Sequence, residues 1–115
     1  MTDREARIAK NEAIARDINE GIEEAMVSLS PEGYTRMLCE CGLPDCERKV
    51  AISVVEYERT RSDPRRFVVV KEHVIPDVED VVDETDRFVV VQKHEGTPAD
   101  VAEELDPRDP RDPRD

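Results

Sequence analysis

Three cysteines fall within eight residues, as Cys39-Glu40-Cys41-Gly42-Leu43-Pro44-Asp45-Cys46, and the chain has no other. Any fold must turn tightly here. With Gly42 and Pro44 in the segment, the three thiols can converge on one point. Three is odd, and residues 1–10 are charged throughout with no apolar stretch of a secretory signal, so a disulfide framework is disfavoured and a cytoplasmic location is expected. Zn²⁺ takes four soft or borderline ligands in a tetrahedron, and Cys3His is a standard structural set. The fourth ligand must come from one of the two histidines, His73 or His94. The Cys-x-Cys-x4-Cys spacing is not the common Cys-x2-Cys knuckle. The residues alone therefore leave open free or redox-active thiols, an iron–sulfur cluster and a catalytic zinc with an open position.

Around this loop the pattern predicts a long N-terminal helix over residues 3–29. Ile14, Ile18, Ile22 and Met26 recur at intervals of four and form its expected inward face. Ser30-Pro31-Glu32-Gly33 should stop it. Strands are expected over 34–39 and 49–53, paired as a hairpin with the cysteine loop at or near its turn. Ser53-Val54-Val55-Glu56 has capping-box spacing and opens a short helix over 54–61, ended by Asp63-Pro64.

Arg66-Phe67-Val68-Val69-Val70 returns as Arg87-Phe88-Val89-Val90-Val91, each followed three residues later by a histidine. Both runs read as buried β-branched strands. Pro76 fits a helix start, and Val78, Val81 and Val82 then give a stripe for a helix over 76–86, which would make a βαβ crossover between the runs. Thr97-Pro98-Ala99-Asp100 should cap a last helix with Val101 and Leu105 inward. The expected fold class is α+β: a long N-terminal helix, a small mixed sheet of about four strands with short helices, and a zinc loop at a hairpin. One domain is expected over residues 1–105, with a disordered tail over 106–115 reading DPRDPRDPRD.

The chain resembles a family of small, uncharacterised bacterial proteins. The likeness rests on an N-terminal helix, the Cys-x-Cys-x4-Cys loop and the segment Tyr57-Glu58-Arg59-Thr60-Arg61-Ser62-Asp63-Pro64. A strand with a histidine follows, then a Val-rich strand (here Val89-Val90-Val91), and finally Leu105-Asp106-Pro107-Arg108. It covers most of residues 10–108 and leaves out the repeated tail. The resemblance implies His73 as the recurring histidine, hence a metal set of Cys39, Cys41, Cys46 and His73. It implies no activity.

Composition narrows the function. The formal net charge of −12 opposes nucleic-acid binding. No apolar run approaches the ~20 residues of a membrane helix. With 3% aromatic residues the core must be small and valine-built, a kind of core that gains from a metal. Seven acids and no Lys or Arg lie between residues 72 and 86, whereas Arg59, Arg61, Arg65 and Arg66 cluster upstream. Phosphate-loop, hydrolase and metalloprotease motifs are missing. The expectation is a non-enzymatic zinc-binding domain acting on an unknown protein partner, with a thiol redox sensor or zinc-release switch as the alternative. Ile8, Ala15, Ile22 and Leu29 recur at seven, but the companion row Asn11, Ile18 and Ala25 is poor, so a monomer is favoured over a homodimer.

Overall fold

The structure, a computed structural model, describes residues 3–26 and 33–108. Its elements in chain order are α1 (Asp3–Met26), β1 (Tyr34–Leu38), β2 (Lys49–Ser53), α2 (Val54–Arg61), β3 (Arg66–Val69), a 3₁₀ turn (Lys71–His73), β4 (Glu79–Glu84), β5 (Val89–Lys93) and α3 (Thr97–Glu104). The fold is α+β. The expected helix stop at residues 30–32, and Leu29 of the seven-residue row, lie outside the described residues.

The strands form two antiparallel sheets. One is the hairpin β1–β2, running from Tyr34 opposite Ser53 to Leu38 opposite Lys49. The other has the order β3-β5-β4. The repeated valine runs become neighbours, with Phe67 opposite Val91 and Val69 opposite Val89. Burying both faces of these strands suits their unbroken apolar sequence. The helix expected over 76–86 is instead strand β4, and the βαβ crossover is replaced by an antiparallel β4–β5 pair. Pro76 opens a turn, in which Val78 N–H and Glu79 N–H both donate to Ile75 O, and goes no further as a helix. The non-local pairing decides the segment. β5 offers it an edge, Glu79 falls opposite Lys93 and Val81 opposite Val91, and the adjacent valines suit a strand better than a helix turn.

Helix α2 starts at the expected capping box. Glu56 N–H donates to Ser53 Oγ at 3.1 Å, and Ser53 N–H donates to the Glu56 carboxylate at 3.0 Å. Helix α3 departs from expectation. Gly96, at φ +103°, is its N-cap with no side-chain cap, and the helix buries Ala99 and Ala102, while Leu105 is exposed. The chain also stays packed past the end of α3. Asp106 is buried in an ion pair with Arg61, and Arg108 reaches Glu20 and Glu58. The first Asp-Pro-Arg triplet is thus held against α1 and α2.

The largest departure is the face that α1 turns inward. Of the expected face, Ile14 and Ile18 are 47% and 48% exposed and Ile22 is half-buried against the core, whereas Ile8, Glu12, Arg16, Asn19 and Glu23 are buried along one stripe at helical spacing. Asn19 and Arg16 meet backbone left unpaired at a strand, a loop and a helix end, and Glu12 and Glu23 pair with cations. Asn19 Nδ2 donates to Leu38 O (2.9 Å) and its Oδ1 accepts from Leu38 N–H (2.8 Å), so the amide extends the hairpin ladder beyond β1. Arg16 donates to Pro64 O and to Ala102 O, both at 2.9 Å. Ala102 lies in the last turn of α3, where carbonyls have no partner within the helix. Glu12 and Glu79 both pair with the buried Lys93.

Asn19→Ala should therefore cost about 3 kcal/mol in urea unfolding, because it leaves both backbone groups of Leu38 unpaired under α1. Ile18→Asp, one residue away on the exposed face, should stay within about 0.5 kcal/mol. Equal costs for the two variants would contradict this account of the helix.

Candidate metal centre

The three cysteines and one histidine meet. Cys39 Sγ, Cys41 Sγ, Cys46 Sγ and a ring nitrogen of His73 all lie within 4.8 Å of one another. His73 Nδ1 is 3.3 Å from Cys46 Sγ and 3.8 Å from Cys39 Sγ. The thiols are free. A tetrahedral zinc, with bonds of about 2.3 Å to sulfur and 2.0–2.1 Å to nitrogen, places its donors about 3.5–3.8 Å apart. The donor set thus has the size and chemistry of such a site.

Three of the four donor residues are placed by backbone hydrogen bonds. Cys39 directly follows β1, and its N–H donates to Arg48 O across the hairpin. Cys46 N–H closes a turn onto Leu43 O. His73 ends the 3₁₀ turn after β3, with its N–H on Val70 O. The loop also runs along the outer edge of β3. Glu40 N–H donates to Val68 O (2.7 Å), Val68 N–H to the Glu40 carboxylate (3.0 Å) and Val70 N–H to Cys39 Sγ (3.2 Å). An N–H aimed at sulfur stabilises thiolate character there.

The cysteines differ in environment. Cys39 and Cys41 are buried in the main hydrophobic cluster, and Cys46 is half-buried. A hydrogen bond from the Cys39 thiol pulls Cys41 down to about 5, the same bond together with burial pushes Cys39 well above the usual thiol range, and burial raises Cys46. A divalent cation would displace the thiol protons.

Of the two histidines, the structure brings His73 to the thiols. His94 lies elsewhere, with Nε2 3.1 Å from Asp80 Oδ1 and its N–H on Val78 O. The supporting residues Glu40, Asn19 and Tyr57 escaped the sequence reading. The fully buried Glu40 carboxylate accepts from Asn19 Nδ2 and from Tyr57 Oη, both at 2.9 Å, as well as from Val68 N–H. Burial holds its carboxyl above the usual range in spite of these donors. An acid between two cysteines was the one local hint, since an exposed turn would leave it solvated.

Gly42 is a backbone necessity. Its φ is +74°, and a Cβ there would collide with Ile8 O and lie 2.7 Å from Glu12 Cγ on α1. Gly42→Ala should cost at least about 2 kcal/mol in thermal or urea unfolding. His73→Ala should lower retained metal, read by elemental analysis of purified protein, while His94→Ala should leave it unchanged. Comparison of the chain with protein-family models, with curated proteins and with solved structures returns no match.

Proposed function

We propose that this protein is a small cytoplasmic zinc-binding domain whose Cys39, Cys41, Cys46 and His73 hold a structural metal, and that it acts by binding another protein rather than as an enzyme. The observation that carries the metal reading is the convergence of four donors within 4.8 Å with no disulfide among the thiols. All four positions are filled by protein side chains, the arrangement of a structural rather than a catalytic zinc. The donors also join separate parts of the fold, the hairpin loop and the turn after β3. A metal there would tie the two sheets together in a molecule whose core is largely valine. The family resemblance, which makes His73 the recurring histidine, points the same way.

An interaction role is supported by the surface beside the loop. Ile14 and Ile18 of α1 flank a groove that also includes Leu43 and Pro44, close to Cys39 and Cys46. Exposed apolar side chains grouped on one face mark contact surfaces more often than they mark chemistry. No described helix is long and apolar enough to cross a membrane.

The alternative, a redox sensor or zinc-release switch, draws on the depressed Cys41 thiol. Burial argues against it. Cys41 is 1% exposed, and a sensor thiol must meet its oxidant.

Native mass spectrometry of protein made without added metal should show one zinc per chain. Strong chelator should lower the melting temperature by about 10 °C or more, because metal-binding free energy feeds directly into folding. Metal-free protein with three freely titrating thiols and an unchanged melting curve would reject the structural zinc.

A further inference from the structure

A second site lies away from the thiols. Between α1, α3 and the β3-β5-β4 sheet is a cleft of about 120 Å³. None of the four metal donors lines it. Its walls are mostly apolar, including Ala13 of α1, Phe67 of β3, Val78 before β4, and Val101 of α3. Three buried charged side chains, Glu12, Arg16 and Lys93, also line it.

The charges are not evenly matched. Lys93 has two carboxylates, Glu79 at 2.6 Å and Glu12 on its other side. Arg16 is fully buried and donates to two backbone carbonyls, Pro64 O and Ala102 O. Its Nε has no hydrogen-bond partner, and among the described residues no carboxylate lies within ion-pair distance of it. Its guanidinium carbon is 4.8 Å from the centre of the Phe67 ring, which is itself part of the cleft wall. Arg16, one of the cleft's lining residues, is therefore a cation with a spare donor, and apart from Glu12, Lys93, Asp77 and Thr97 the rest of the lining is apolar.

We propose that this cleft binds a small organic monocarboxylate, with its carboxylate on Arg16 and its short apolar body against Phe67, Val78 and Val101. A carboxylate brings both things Arg16 lacks, a planar acceptor and a balancing negative charge. A single charge fits better than a phosphate's two, because Glu12 shares the cleft and Asp77 stands at its lining. The volume sets the length. It is somewhat below the ~150 Å³ of a cavity that holds benzene, which suits acids of roughly three to five carbons. Small-molecule sites generally have this form, a mostly apolar pocket with a few convergent polar groups.

The test is a ¹H–¹⁵N NMR titration of the full chain, as purified, with sodium isobutyrate. Isobutyramide of the same shape and sodium chloride at the same ionic strength run in parallel. Isobutyrate should give saturable shifts at the amides of Ala13, Phe67, Lys93 and Val101. Isobutyramide should bind at least about tenfold more weakly, or roughly 1.4 kcal/mol. Two wall substitutions, Ala13→Phe and Val101→Phe, lie at half-buried positions that line the cleft and would fill it. Either should abolish the isobutyrate shifts while the protein stays folded. Absence of saturable shifts, as expected of a cleft filled by water alone, would overturn the proposal. So would equal affinity for acid and amide, or shifts that survive both substitutions. Because the acid–amide comparison uses the unaltered chain, misfolding of a variant cannot mask the result. Zinc content is read separately, so the outcome is independent of the metal-site reading.

Discussion

The buried carboxylate of Glu40 ties the cysteine loop to three separate elements of this molecule. It projects from the middle of the cysteine loop into the interior, where Asn19 of α1, Tyr57 of α2 and the Val68 N–H of β3 all donate to it. Burying a carboxylate is expensive unless its oxygens are satisfied. Three donors from three separate elements satisfy them only when the loop, both helices and the sheet are together. The cost of burying this group without partners thereby favours one arrangement. The arrangement sets Cys39 and Cys41, the residues on either side, within reach of His73.

The same logic extends along α1. This helix carries isoleucines, yet it buries Glu12, Arg16, Asn19 and Glu23. The sheets are narrow, and backbone groups at the edge of the hairpin and the end of α3 need partners from α1. Asn19 completes the ladder beyond Leu38, and Arg16 takes a carbonyl from the end of α3. Gly42 lets the cysteine loop come within contact of α1 at Ile8 and Glu12. Ile14 and Ile18 are left outside beside Leu43 and Pro44.

Much of the local structure was legible in the chain. The capping box at Ser53 and Glu56 is a reciprocal contact over three residues, and α2 begins where it predicts. The two valine runs are strands because unbroken β-branched sequence has few other uses. The metal cluster was legible in part. Thiol spacing showed where donors gather, but the choice between two histidines at equivalent places in a repeat depends on which strand end faces the loop. The strand at Glu79–Glu84 was not legible, since Val78, Val81 and Val82 fit a helix stripe as well as a strand. Only pairing with β5, and the placement of Glu79 opposite Lys93, separates the two.

Local signals, which act over three or four residues, thus determined the hairpin, the second helix, the valine strands and the gathering of thiols. Tertiary structure decided which face of α1 is buried, the identity of β4, the choice of His73 over His94, and the docking of Asp106 and Arg108 on the body of the domain. The physical reason is shared by all four. Each depends on a polar group finding a partner far away in sequence, such as Asn19 with Leu38, Glu79 with Lys93, His73 with Cys46 and Arg61 with Asp106. Hydrophobic periodicity carries no record of such partners.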